Sequence, residues 1–238
     1  MISFPKFIVP FRKFFSNYEG FKCRISILIV LVLLIFLSGF NLSCSNYPTI
    51  EINYKEGEIN TAQIEFNGLT REFRFYIPNG FDIKAEEKHP LILILHGFNQ
   101  PVSSIIQTYE SMKSKANADG TILVYPQSTG DETENTLSWN PLYGDLDDID
   151  ESLNDVDDVG YLSYLIDVFL GNTNCDPDRV YVTGTSMGGA MTYALSCHIP
   201  ERLAAVAPVI MQIGKIYAEI YTKAKPIPIM IINGTADP

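Results

Sequence analysis

Histidine is scarce in this 238-residue chain, which holds only His89, His96 and His198. Cysteine is almost as rare, with four residues, and no Cys-x-x-Cys pair or Cys/His cluster at metal-ligand spacing occurs. That pattern excludes a zinc ribbon or a thiol-based redox motif, and the reading calls for no metal and no cofactor. Positive charge is also in short supply: 17 Lys and Arg against 28 Asp and Glu give a formal charge of −11. No internal repeat is present, which removes solenoids and propellers.

The basic residues are unevenly spread. Lys6, Arg12, Lys13, Lys22 and Arg24 stand against Glu19 in the first 26 residues, followed by the apolar run Ile27–Leu37 and then Ser38, Gly39 and Cys44. A basic start, a short apolar run and small residues form an export signal. Cys44, in Asn41-Leu42-Ser43-Cys44, resembles a bacterial lipidation cysteine, so residues 1–43 are read as a lipoprotein-type signal. Secretion without a lipid, or an uncleaved anchor across Ile25–Ser43, are the alternatives. Beyond residue 43 the chain carries 12 basic and 27 acidic residues, a formal charge of −15. Such a surface repels nucleic acid and anionic headgroups, leaving contact with a membrane only through the N-terminal lipid or anchor. The expected location is therefore the cell envelope or the extracellular space.

Residues 44–58 are polar and irregular, a tether in this reading, and 59–238 form one domain. Ile59–Phe66 and Leu69–Ile77 alternate around Asn67-Gly68, a hairpin signal. Strand and helix patterns then alternate. Leu91–Leu95 is a continuous apolar strand, Val102–Ala118 a helix, Ile122–Tyr125 a strand and Val156–Leu170 an amphipathic helix. Leu203–Val209 and Ile229–Ile232 read as strands around a helix at Ile213–Ala224. The rhythm predicts an α/β, doubly wound, mostly parallel sheet entered through an antiparallel hairpin. Cys175 and Cys197 fall at the same sheet edge, as a disulfide or as two unpaired buried thiols. In the loop 127–155, Asp145, Asp147 and Asp150 have oxygen-ligand spacing, but the glycine and distal glutamate of an EF-hand are missing, so the segment is read as solvated.

The chemistry concentrates at Arg179-Val180-Tyr181-Val182-Thr183-Gly184-Thr185-Ser186-Met187-Gly188-Gly189. A β-branched strand enters a G-x-S-x-G turn and continues into Ala190–Cys197, which keeps helical spacing. Such an elbow presents a serine hydroxyl on a sharp strand-to-helix bend, with glycines where strand and helix cross. The bland alternative is a glycine-rich turn with an incidental serine. A nucleophilic Ser186 needs an oxyanion site, an acid and a base. His96-Gly97-Phe98 follows a strand and offers the N–H of Phe98; Met187 offers a second at the helix start. His96 and Gly97 border the substrate position, with His96 shaping the turn. Asp237, in Asn233-Gly234-Thr235-Ala236-Asp237 after a late strand, fits the acid. No base is found: His198 lies about 18 Å along the helix from Ser186, and His89, read as a surface residue, precedes a strand at the opposite end of the sheet. The triad histidine is missing from these residues.

These stretches, with Asn67–Pro78, Leu95-His96-Gly97, Tyr125-Pro126-Gln127, Ser138-Trp139-Asn140, Asp157–Leu162, Asp176–Gly189, Ala204–Val209 and Gly234–Asp237, resemble in order the secreted feruloyl esterase and polyhydroxybutyrate depolymerase-like family, related to carbohydrate esterase family 1 within the α/β-hydrolases. The resemblance covers about residues 59–238. It implies ester hydrolysis through an acyl-enzyme on Ser186, Asp237 as triad acid, and a monomeric enzyme acting on polysaccharide-linked or polyester substrates. It also implies that Trp139 lines or braces the cleft, and that Asp157 and Asp158 fix a turn before a helix. Asn233 stands where the family often has histidine. The family's catalytic histidine, last strand and closing helix would follow Asp237, so the chain reads as C-terminally truncated. The competing reading is a catalytically inactive homologue that acts, if at all, as a surface binding protein.

Overall fold

A computed structural model describes residues 47, 48, 50–141, 156–213, 215 and 225–236, all within one compact unit, Asn46–Pro238. The export segment 1–43, Cys44, the acidic residues Asp145 to Asp155, most of the Ile213–Ala224 helix and Asp237 lie outside the described residues. Strand β1 (Ile59–Phe66) pairs antiparallel with β2 (Leu69–Tyr76). The link is Asn67-Gly68, both with positive φ (49° and 78°), the two-residue turn whose twist matches that of the strands.

The sheet order is β1-β2-β4-β3-β5-β6. Here β3 is His89–Leu95, β4 Ile122–Pro126, β5 Cys175–Thr185 and β6 Ala205–Val209. Strands β4, β3, β5 and β6 are parallel, and β2 joins β4 antiparallel. Residues 229–232 extend the parallel set beyond β6 through bridges Val206–Ile229 and Val209–Ile232. The expected hairpin and parallel strands are present.

Two apolar layers flank the sheet because central strands are buried on both faces. Leu91, Leu93, Leu95, Ile122, Val124, Val180 and Val182 face helices α3 (Asp158–Asn172) and α4 (Met187–His198). Ile94, Leu123, Tyr125 and Tyr76 face α1 (Val102–Thr108) and α2 (Met112–Asp119). The faces are opposite because β3→β4 and β5→β6 advance in opposite directions with crossovers of the same hand. The strand order reverses between β3 and β5, the switch point at whose C-terminal side open α/β sheets place their ligands.

Two expectations change. The single helix over Val102–Ala118 is two, broken at Tyr109 (φ −103°, ψ 23°). The segment ahead of β1 is strapped down rather than a loose tether: Asn172 Oδ1 accepts from Ile50 N (3.0 Å), Asn172 Nδ2 donates to Pro48 O (2.8 Å), and Ile50, Ile52 and Tyr54 pack on the core. Of the two alternatives for Cys175, the unpaired thiol holds: it is free and buried, and no disulfide joins it to Cys197. Burial pushes its pKa up to about 12, which makes it inert.

Candidate functional site

Ser186 sits between the end of β5 and the start of α4, exposed, with φ 55° and ψ −117°. A positive φ at a serine is strained and persists only where the surroundings over-determine it. Here they do. Ser186 N donates to Val209 O at the end of β6 (2.9 Å), and Ser186 O accepts from Ala190 N (3.0 Å). The bend is tight because Gly184 and Gly188 touch: a Cβ on Gly184 would lie 2.3 Å from Gly188 O. A Cβ on Gly188 would lie 2.4 Å from Leu95 O and 2.7 Å from His96 O. Both obstacles are backbone, so Gly188→Ala must push α4 away from the turn after β3. The expected cost is ~3 kcal/mol, the upper end for overpacking, read as a lower urea midpoint with an unchanged m-value.

The turn after β3 is held from several sides. Trp139 Nε1 donates to His96 O (2.9 Å), Gly97 N donates to Gln100 Oε1 (2.9 Å), and Asn99 N donates to Leu137 O (2.9 Å). Between the committed donors of Gly97 and Asn99 lies Phe98 N–H. Met187 N–H, at the first position of α4, has no intrahelical acceptor. These two groups follow neighbouring strand ends.

His96 and Trp139 do not line an open cleft. Their side chains are 0% and 1% exposed, with ring centroids 5.0 Å apart, so both brace the turn from beneath. Gly97 is buried with them. Ser128 N (3.0 Å) and Gln127 Nε2 (2.9 Å) meet His96 Nε2, while Nδ1 meets Gly97 O (2.8 Å). Both ring nitrogens are occupied, which leaves neither to serve Ser186. Burial lowers the His96 pKa to about 4. Its unfolded value near 6.5 is higher, so the unfolded chain gains the proton first as pH falls. The stability tied to a neutral His96, ~3 kcal/mol, is whole above pH 6.5 and lost as pH drops through 4. Urea unfolding at pH 7 and pH 4.5 checks this; equal stability at the two would refute it.

The other histidines are remote. His89 opens β3, at the sheet end away from Ser186. It is half-buried rather than a surface residue, its Nδ1 2.8 Å from Gly120 O and its ring 4.6 Å from Phe81. His198 ends α4, about 18 Å from Ser186 along the helix axis.

Asn233 Oδ1 accepts from Met211 N (3.1 Å), and Ile210 N donates to Ile232 O (2.8 Å). The segment carrying Gly234, Thr235 and Ala236 therefore departs from the same strand edge as Ser186. Asp157 and Asp158 do fix the turn before α3, as the resemblance implies. Asp157 caps the helix by accepting from Gly160 N (2.7 Å). Asp158 is fully buried, accepting from Arg71 Nη2 (2.6 Å) and Asn140 N (2.7 Å). Burial raises its carboxyl pKa, opposed by Arg71. Arg71, Gln100 and Gln127 were not among the sequence candidates. Arg71 left a sequence signal, a charge at an inward position of an alternating strand, and Gln127 stood in the Tyr125-Pro126-Gln127 stretch without a role.

No family model matches the chain. Among curated proteins, the chain is 30% identical over 171 residues to NocK of Nocardia uniformis subsp. tsuyamanensis, which bears the name of an esterase; the match covers 72% of this chain and 46% of that one. It is 29% identical to the bifunctional acetylxylan esterase/xylanase XynS20E of Neocallimastix patriciarum, over 71% of this chain and 22% of that one. It is 32% identical to the poly(3-hydroxybutyrate) depolymerase of Ralstonia pickettii, over 59% and 29%. The chain spans less than half the length of these relatives. Among solved structures it is similar to a thermostable esterase (TM-score 0.55, 21% identity, 73% of this chain and 45% of that one). It is also similar to the S-formylglutathione hydrolase FrmB of Staphylococcus aureus (TM-score 0.53, 13% identity, 75% and 80%). The chain has the α/β-hydrolase fold and is homologous to proteins named as esterases and as a polyester depolymerase.

Proposed function

We propose that this α/β-hydrolase chain is the core of an exported serine esterase that cleaves carboxylic esters through an acyl-enzyme on Ser186. The observation that carries the reading is the strained, exposed Ser186 (φ 55°) on a bend that only glycines permit. A base, supplied in the test below as imidazole, takes the Ser186 Oγ proton as the oxygen attacks the acyl carbon, and the resulting oxyanion takes hydrogen bonds from the N–H groups of Phe98 and Met187. Return of that proton to the leaving oxygen releases the alcohol as the carbonyl reforms; water, deprotonated by the same base, then releases the acid and restores the Ser186 hydroxyl. Asp237 is the group proposed to orient the base. Export is supported by the residue pattern of 1–43, with Cys44 as the lipidation point. The names of the relatives favour acetyl or feruloyl esters of plant polysaccharide, or hydroxyalkanoate polyesters, as substrates.

A second reading, an inactive binding protein of this fold, is favoured by one observation: none of the three histidines reaches Ser186. Incubation with p-nitrophenyl acetate followed by mass spectrometry separates the two. The esterase reading expects an acetyl adduct on Ser186 that is lost in Ser186→Ala. No adduct on Ser186, with or without imidazole in the buffer, sinks it.

A further inference from the structure

Gln127 occupies a junction that the proposed chemistry has not used. Its side-chain Oε1 accepts from Val102 N at the start of α1 (2.8 Å). A backbone N–H can only donate, so Oε1 faces Val102 and the amide nitrogen must face His96 Nε2, 2.9 Å away. Ser128 N–H reaches the same ring nitrogen at 3.0 Å. With two donors pointing at it, Nε2 carries the lone pair and Nδ1 carries the proton. Nδ1–H therefore donates to Gly97 O at 2.8 Å.

That carbonyl belongs to the same planar trans peptide as Phe98 N–H. Gly97 O also accepts from Gln100 N at a longer 3.2 Å, and fixing its direction fixes the direction of the Phe98 N–H on the other side of the plane. The peptide before it is pinned in the same way, with Trp139 on His96 O and Gln100 on Gly97 N. With the other tautomer, Nδ1 would turn a lone pair toward Gly97 O and favour rotation of the peptide.

We propose that Gln127 is a positioning residue of the oxyanion site: by holding His96 in the Nδ1–H tautomer it aims Phe98 N–H at the developing oxyanion. The proposal rests on the reading of Phe98 as an oxyanion donor. Gln127 itself touches no substrate.

Gln127→Glu is the informative variant. A carboxylate still accepts from Val102 N, but it offers an acceptor to His96 Nε2 and draws the proton there. Gln127→Met, of similar length, removes the donor without supplying an acceptor and guards against misfolding of the charged variant. The readouts are the ring-nitrogen NMR shifts of His96 in the 238-residue chain and the Ser186-dependent hydrolysis of p-nitrophenyl acetate with imidazole present, the Ser186→Ala rate subtracted. The expected result is an Nδ1–H tautomer in the wild type, Nε2 protonation in Gln127→Glu, and a fall in kcat of tenfold or more with KM little changed; Gln127→Met falls between. A wild-type His96 protonated on Nε2, an unchanged tautomer in Gln127→Glu, or a changed tautomer with an unchanged rate overturns the proposal. Equal rates for wild type and Ser186→Ala would instead overturn the serine-esterase reading on which it rests, and the nitrogen spectra distinguish that failure from a failure of the Gln127–His96 link.

Discussion

Ser186→Ala is expected to abolish the response of this chain to added imidazole, whereas the parent chain accelerates p-nitrophenyl acetate hydrolysis as imidazole is added. The reasoning starts from what the site holds and what it does not. A strained serine is in place, with the N–H groups of Phe98 and Met187 as its proposed oxyanion donors. Among the described residues a histidine base is not: His96 is engaged at both nitrogens, His89 is at the far end of β3, and His198 is a helix length away. Removing one member of a serine triad leaves roughly 10³–10⁴-fold catalysis over water, supplied by the oxyanion site and by binding. The 238-residue chain should run at that floor. General-base catalysis adds about 10²–10⁴-fold, and free imidazole, lacking fixed geometry, should recover only the lower part of that range. Stopped-flow or plate-reader rates across an imidazole series check the expectation. A turnover of ~10 s⁻¹ without imidazole, the ordinary enzyme range, would show that some group other than histidine deprotonates Ser186.

The elbow was legible because its demands are local. A β-branched strand, two glycines flanking x-Ser-x and a helical continuation sit within one stretch of chain, and the close approach of Gly184 to Gly188 is what that spacing encodes. The hairpin was legible for the same reason, since Asn-Gly alone specifies its turn. The break in the first helix was not, because no glycine or proline marks Tyr109. Its hydroxyl lies 3.0 Å from Thr185 Oγ1, a tertiary contact to the residue before Ser186. The strap over 47–58 left only a faint sign, the alternation of Ile50, Ile52 and Tyr54 in a polar stretch. The roles of His96 and Trp139 were half legible: the motif marks the turn, but burial beneath it depends on the loop 127–140 folding back over β3. Gln127 stood in the sequence only as part of Tyr125-Pro126-Gln127, with no role attached, since its meaning arises only when β4 lies beside β3 and brings it under His96.

Breaking the Arg71–Asp158 pair is expected to destabilise the fold by ~3–5 kcal/mol, the cost of leaving one buried charge without its partner. Arg71 takes an inward position on β2 in the same row as Phe73 and Phe75, and only 3% of it is exposed. Its guanidinium lies 3.8 Å over the ring of Tyr161, and its Nη2 reaches Asp158 at 2.6 Å. Asp158 begins α3, where the helix dipole favours an anion. Its second oxygen accepts from Asn140 N, whose neighbour Trp139 holds His96 O. Asp158→Asn keeps the volume and one acceptor but strands the guanidinium, so the full penalty applies. Arg71→Met with Asp158→Leu removes both charges and is expected to lose only ~1–3 kcal/mol, the desolvation cost of the orphaned Asn140 N–H. Arg71→Met and Asp158→Leu made singly, together with the double variant, form a cycle whose coupling separates charge pairing from packing. Urea midpoints for the set give the answer, and a double variant no more stable than Asp158→Asn would refute the account. The functional consequence follows the same contacts. In the double variant Asn140 keeps its side-chain bond to Val156 O (3.1 Å) but loses the backbone bond to Asp158, which loosens the approach of Trp139 to His96 O, so Ser186-dependent turnover should fall even where stability recovers. The buried charge pair then serves to register the loop against β3, a task that an apolar pair of equal volume cannot perform.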